Sequence, residues 1–209
     1  MVRDWAAVFD LDTDAEDLLE HFDREWFRGR SYRHLPDARH GVERGTAIFD
    51  DVVVRGYPSI PRALVLEPAV EAHFEGPVAV AEKLDGYNVR LARIDGDLLA
   101  FTRSGFVCPY TTAKVGELLD LGDFFADYPE QVLCGELVGP ENPYTEHDYP
   151  EVEEAAFYVF DVRHRETGDP MTVPRRRECC AEYGVASVGH YGTFAPEAAA
   201  EAAIETIRD

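Results

Sequence analysis

Lysine is almost absent from this chain: Lys83 and Lys114 are the only two, and every other base is arginine. Long apolar runs are missing too. None approaches the roughly 20 residues a membrane span needs, and the N-terminal stretch around Trp5 has neither an apolar h-region nor a cleavage site. This pattern argues against a membrane partner and predicts a cytoplasmic location. Cysteine is scarce and poorly spaced for metal or redox chemistry. Cys108, Cys134, Cys179 and Cys180 form no C-x-x-C pair, and two adjacent cysteines do not easily share one disulfide or one zinc ion. Buried thiols are the expected state. His21, His34, His40, His73, His147, His164 and His190 lack metal-ligand spacing, and there is neither a Gly-rich phosphate loop nor a serine nucleophile elbow.

Positive charge is the other shortage. Twenty Lys and Arg face 41 Asp and Glu, for a net charge of -21. Such a balance ordinarily disfavours a polyanionic partner, because affinity for phosphates comes mainly from Lys and Arg neutralising them. The acids, however, are spread over the whole length, and the near-replacement of lysine by arginine resembles proteins of salt-loving archaea. At about 1 M salt the Debye length is about 3 Å, so the global charge repels RNA only weakly there, and local arginines can still hold it.

At 209 residues and 45% apolar content the chain can bury one substantial core. The apolar spacing of residues 10–26 (Leu11, Leu18, Leu19, Phe22, Trp26) predicts an amphipathic helix. Short strands are expected at 46–49 and 52–54 around an Asp-Asp turn, then a loop through Pro58 and Pro61 and a helix over 64–74. Three β-type runs at 78–81, 87–92 and 97–101, separated by Asp85-Gly86 and Asp95-Gly96, read as an antiparallel meander. Helices are expected at 112–125, 174–183 and 196–207, with strands at 132–138 and 156–162. The mixture predicts an α+β domain, divided into an N-terminal region, 1–76, that leads into a core, 77–209.

The most informative segment is Glu82-Lys83-Leu84-Asp85-Gly86-Tyr87-Asn88-Val89-Arg90. A lysine at a strand end, a tight Asp-Gly turn and a returning strand bearing an arginine put an amine and a guanidinium at the mouth of one pocket. An unprotonated amine there would be a nucleophile. The plain alternative is a surface lysine beside a hairpin turn. Further along stand Thr102-Arg103-Ser104-Gly105, Leu133-Cys134-Gly135-Glu136-Leu137-Val138-Gly139 and Phe157-Tyr158-Val159-Phe160-Asp161.

These four segments resemble, in order, motifs I, Ia, III and IIIa of the covalent nucleotidyltransferases, the superfamily of DNA ligases, RNA ligases and mRNA capping enzymes. Within it the chain is most similar to the archaeal homodimeric RNA ligases that circularise RNA; the block Val54-Arg55-Gly56-Tyr57-Pro58-Ser59-Ile60-Pro61-Arg62 adds to that likeness. The resemblance implies an ATP-grasp-like ligase adenylation core with antiparallel sheets flanked by helices. It implies ATP and Mg²⁺ (or Mn²⁺) as cofactors, RNA 5′-phosphate and 3′-hydroxyl ends as partners, and a homodimer for the full-length form. Lys83 would attack the α-phosphate of ATP. Glu82, Asp85, Gly86, Arg90, Arg103, Glu136 and Phe160 would surround the nucleotide, with Arg90 and Glu136 on the ribose hydroxyls, Phe160 stacked on adenine and Tyr158 on the same strand face. By the same likeness Arg55 and Arg62 engage the 5′-phosphate end or the triphosphate. Arg175-Arg176-Arg177 reads as a solvated helix face or an RNA contact.

The chain departs from the family after motif IIIa. Motif IV, a Glu-Gly-x-Val-x-Lys strand, and the motif V lysine are not found, so a C-terminally incomplete ligase is expected. The alternatives are a DNA ligase or capping-type enzyme, and a catalytically incomplete module that binds nucleotide or RNA ends.

Overall fold

The computed structural model describes residues 3–12, 14–144, 147 and 149–208. In chain order the elements are α1 (Trp5–Phe9), α2 (Glu16–Glu20), β1 (Asp23–Phe27), β2 (Arg30–His34), β3 (Ala47–Phe49), β4 (Val52–Val54), α3 (Leu66–His73) and β5 (Val78–Ala81). There follow β6 (Tyr87–Ile94), β7 (Asp97–Phe101), α4 (Pro109–Leu118), α5 (Gly122–Asp127), β8 (Gln131–Val138), β9 (Ala156–His164), α6 (Val173–Glu182), β10 (His190–Phe194) and α7 (Pro196–Arg208). They pack as two compact units. One takes the chain up to Pro58 together with Asp85–Ala186; the other takes Ser59–Leu84 and the chain from Ser187 onward. Among the described residues no helix is long and apolar enough to cross a membrane.

The larger unit holds two four-stranded antiparallel sheets, ordered β1-β2-β3-β4 and β7-β6-β8-β9. Alternation of side chains sends Phe27, Tyr32 and Phe49 of the first sheet against Ala92, Ile94, Phe101 and Cys134 of the second. On its outer face the second sheet buries Val89, Leu91, Leu133 and Val159 under α4, α5 and α6. The first sheet buries Ile48 and Val53 under α1 and α2, through Phe9 and Leu18. A continuous helix over 10–26 does not form. Asp10, in the left-handed region at φ 54, ends α1, and the chain re-enters as α2 and then β1, where Trp26 stands 66% exposed on an edge strand. Likewise 112–125 is two helices, α4 and α5, broken between Leu118 and Gly122.

The second correction concerns the meander. β6 and β7 form a hairpin with paired residues from Arg90↔Phe101 to Ile94↔Asp97, but β5 does not join them. It pairs instead with β10, which the sequence reading missed, in the smaller unit, where Val70, Val78, Ala199 and Ala200 make the core. Asp85-Gly86 is therefore no hairpin turn. Gly86 is required for close approach: a Cβ on it would stand 2.4 Å from the Leu137 carbonyl oxygen.

The four cysteines are free and buried, as expected from their spacing.

A second close approach ties the two sheets together. Gly45, at φ 84, faces the turn after β7 so closely that a Cβ would lie 2.3 Å from the Arg103 carbonyl oxygen and 3.0 Å from the Gly105 nitrogen. Both obstacles are backbone and cannot swing away. Gly45→Ala combines a left-handed residue with overpacking and is expected to cost about 2–3 kcal/mol. A urea midpoint lowered with an unchanged slope would register it; an unshifted midpoint would mean the two loops are not held in contact.

Candidate functional site

In the larger unit the segments singled out from the sequence converge on the second sheet. Strand register places Asn88 of β6 directly opposite Glu136 of β8, and Glu136 directly opposite Tyr158 of β9, so the three side chains form one row on one face. Glu136 also holds the entry to β6: the Gly86 N–H donates to its Oε1 at 3.1 Å. One residue earlier, the Asp85 N–H donates to the Tyr149 hydroxyl at 2.7 Å, and the Asp85 carboxylate meets His147 at 2.8 Å.

The strand pair β8–β9 is irregular at the next step. Cys134 is opposite Asp161 and Gly135 is opposite Val159, which leaves Phe160 as an extra residue between them. This bulge turns a half-buried aromatic ring out of simple alternation. The ring is fixed edge-on by Tyr57, at 5.3 Å between centroids and 85° between planes. Tyr57 in turn donates to Asp161 at 3.4 Å, and Arg163 donates to the same carboxylate oxygen at 2.8 Å. Burial, reinforced by the negative Asp161, raises the pKa of the Tyr57 phenol, so it remains a donor at neutral pH. Behind the bulge Arg176 of α6 donates to the Phe160 carbonyl oxygen. Arg176 is buried, so the expected solvated arginine face holds for Arg175 and Arg177 but not for it.

Arg90 departs most from expectation. Its side chain is 1% exposed and lies between the two sheets. One guanidinium nitrogen donates to the Arg55 carbonyl oxygen; the other donates to the Gly45 oxygen at 2.7 Å and the Thr102 oxygen at 3.1 Å. The cause is cover by the first sheet. Asn88 and Arg90 share a face of β6, but Asn88 lies opposite Glu136 near the start of β6, whereas Arg90 falls beneath the first sheet. Burial lowers the Arg90 guanidinium pKa to about 10, which leaves it charged at neutral pH.

Arg55 is a structural residue as well. Its guanidinium reaches the Glu166 and Val8 carbonyl oxygens at 2.9 and 3.1 Å, pairs with Glu43 at 3.3 Å and covers the Phe9 ring. It is therefore occupied within the fold and unavailable to a phosphate. Arg103 is exposed on the turn Thr102 to Gly105, which is closed by the Gly105 N–H donating to the Thr102 oxygen at 2.9 Å.

Glu82, Lys83 and Arg62 belong to the smaller unit, and all three are exposed. The Glu82 backbone N–H donates to the Gly189 oxygen at 2.9 Å, and its carboxylate accepts from the Gly189 N–H at 3.2 Å.

Asn88 is the polar residue of this face that sequence reasoning passed over. Its Oδ1 is buried and has no hydrogen-bond partner among the described residues. An orphaned acceptor beside a carboxylate is costly unless a ligand donates to it. The available signal was its position two residues after Gly86, on a strand whose partner carries Glu136.

Comparison with known proteins follows the same line. A family model described as RNA ligase matches residues 76–208. An uncharacterised protein of Methanocaldococcus jannaschii is 41% identical, over 84% of this chain and 47% of its own length. Among solved structures, an archaeal ATP-dependent RNA ligase is similar in two forms. Form 1 has a TM-score of 0.90 at 38% identity, covering 98% of this chain and 56% of that one. Form 2 has 0.85 at 41%, covering 89% and 51%. A putative ATP-dependent DNA ligase from Aquifex aeolicus has 0.84 at 33%, covering 91% and 53%. The chain thus spans about half the length of these relatives.

Proposed function

We propose, on the premise that this chain belongs to the RNA ligase family, that it carries the adenylation half of an ATP-dependent RNA ligase with Lys83 as the nucleophile. Neutral Lys83 Nζ attacks the α-phosphorus of ATP. A P–N bond forms, the bond to the β-phosphate oxygen breaks, pyrophosphate leaves and the amine loses a proton. An RNA 5′-phosphate oxygen then displaces the lysine to give an RNA-adenylate, and a 3′-hydroxyl attacks the RNA 5′-phosphate with loss of AMP.

The observation that carries this reading is the row Asn88, Glu136 and Tyr158 beside the bulged Phe160. A carboxylate accepts two hydroxyl donors and so suits ribose O2′ and O3′; the Asn88 oxygen adds an acceptor for a third polar hydrogen of the nucleotide. Phe160, held edge-on from behind, offers a face for adenine. The relatives' names, archaeal ATP-dependent RNA ligases, support ATP as donor and RNA as acceptor.

Mg²⁺ accompanies ATP in solution, but among the described residues no group of three or more His, Cys, Asp and Glu could hold a metal ion. A high-salt cytoplasm fits the acidic composition, and a homodimer fits the likeness to the homodimeric ligases.

Sealing is tested with a 5′-phosphorylated RNA and a DNA of the same sequence in competition, with and without the downstream half of a relative. RNA joined in preference to DNA supports the reading; DNA joined in preference favours the alternative that the Aquifex aeolicus similarity raises. For the site, Asn88→Ala is expected to raise the KM for ATP in self-adenylation about tenfold, and Glu136→Gln by at least as much, at unchanged melting temperature, since one lost hydrogen bond to a polar ligand is worth about 1–2 kcal/mol. Unchanged KM in Asn88→Ala would remove that residue from the site.

A further inference from the structure

We propose that the outer face of the β1–β2 hairpin binds the phosphodiester backbone of single-stranded RNA, with Arg24 and Arg33 clamping a phosphate and Trp26 supplying a platform for a base. This rests on RNA being the substrate.

In a chain with about two acids per base, seven of the eighteen arginines fall before residue 45. Several arginines of the larger unit are neutralised: Arg3 by Glu166, Arg30 by Asp50 and Asp95, Arg163 by Asp161, Arg165 by Glu130. Arg24 and Arg33 are different. They are directly opposite each other across β1 and β2, and among the described residues neither has an ion-pair or hydrogen-bond partner. Like charges facing each other across a strand pair destabilise it. Nearby carboxylates are abundant in this sequence, yet none quenches the pair. An arrangement that costs stability and leaves two guanidiniums unpaired is what an external anion would neutralise.

The space around them fits that use. Arg24, Arg33 and Ser31 line a cleft of about 350 Å³, bounded also by Arg3, Trp5 and Asp51. Arg3 is tied to Glu166 and covers the Trp5 ring at 5.3 Å; of the two carboxylates on the rim, Asp50 pairs with Arg30 at 3.6 Å and Asp51 has no ion-pair partner among the described residues. Trp26 follows Arg24 by two residues, faces the same side opposite Ser31 and is 66% exposed. Arginines beside an exposed indole form the pattern that binds single strands, with cations tracking phosphates and rings stacking on bases regardless of sequence. On the opposite side of the same strands Phe27 and Tyr32 are buried in the inter-sheet core, so the hairpin is a rigid support.

The test uses the whole chain and a 5′-phosphorylated 20-nucleotide RNA carrying a fluorophore, with binding followed by anisotropy over a series of KCl concentrations. Arg24→Ala/Arg33→Ala is expected to weaken binding at least tenfold and to flatten the dependence of log K on log salt by about 0.7, the contribution of one phosphate contact on a single strand. Trp26→Ala is expected to weaken it several-fold and leave the slope unchanged. Self-adenylation should proceed at the wild-type rate in both variants. Arg24→Ala alone should melt, without RNA, at or above the wild-type temperature, a result a structural arginine would not give. Unchanged affinity and slope in the double variant would overturn the proposal, as would tripolyphosphate displacing the RNA at equal phosphate concentration, which would assign the arginines to a nucleotide tail. A wild-type chain that adenylates yet binds no RNA also overturns it, leaving the reading of Lys83 intact. Arginine-dependent RNA binding without adenylation supports this face and sinks the catalytic reading instead.

Discussion

Lys83→Ala is expected to leave no detectable protein-bound label when the chain is incubated with α-labelled ATP, while the wild-type chain forms an acid-labile, alkali-stable adduct. The only other lysine, Lys114, is locked between Glu141 and Glu154, and those two carboxylates raise its pKa, so its amine is the less nucleophilic one. Loss of a covalent nucleophile removes the step itself, so the expected effect exceeds about 10³-fold in rate. Lys83→Arg should fail equally, because a guanidinium stays protonated. Label persisting in Lys83→Ala would sink the assignment. Label absent from wild type and variant alike would mean that the half of the relatives' length not represented here is needed for the first step.

Arg90→Met is expected to cut stability by about 3 kcal/mol and, for a chain of this length, to lower the melting temperature by about 6–12 °C. Three carbonyl oxygens, those of Gly45, Arg55 and Thr102, lose their donor at once. Those of Gly45 and Arg55 belong to the segments that enter β3 and leave β4, and that of Thr102 to the segment that leaves β7 in the sheet of Arg90 itself, so one side chain joins the two sheets at two points. Arg90→Lys should recover little, since one ammonium cannot reproduce the planar fork that spans them. The sequence-based role of Arg90 as a ribose ligand makes the opposite forecast: an unchanged melting temperature with a raised KM for ATP. Thermal melts and adenylation kinetics on the same two variants separate the two.

Arg90 and Asn88 together illustrate how legible the site was. Motif likeness singled out three segments, and the fold brings them together as β6, β8 and β9 of one sheet. It assigned the ribose to Arg90 and passed over Asn88, two polar residues with the same parity on β6 that differ in what the neighbouring sheet covers. Phe160 was picked out by its place before Asp161, yet its orientation comes from a bulge that no period-two reading contains. Arg176 looked like part of a surface run; only the packing of α6 brings it to the Phe160 carbonyl. The Asp85-Gly86 dipeptide carries a strong turn signal, and here the glycine serves contact with Leu137 instead.

The fold shows the same division. Short-range patterns sufficed for β3, β4, β8, β9, α6 and the β6–β7 hairpin, where apolar periodicity and punctuation by Gly, Pro and Asp agree. The sequence by itself also determined the family, the ordered set of motifs and the buried state of four cysteines. Only the tertiary structure decided that β5 leaves its sequence neighbours to pair with β10, more than a hundred residues away, and that Arg90 is a tie between sheets. The physical reason is that local propensity depends on residues a few positions apart, whereas strand partnership and the burial of a charge depend on surfaces that do not exist until distant segments have met.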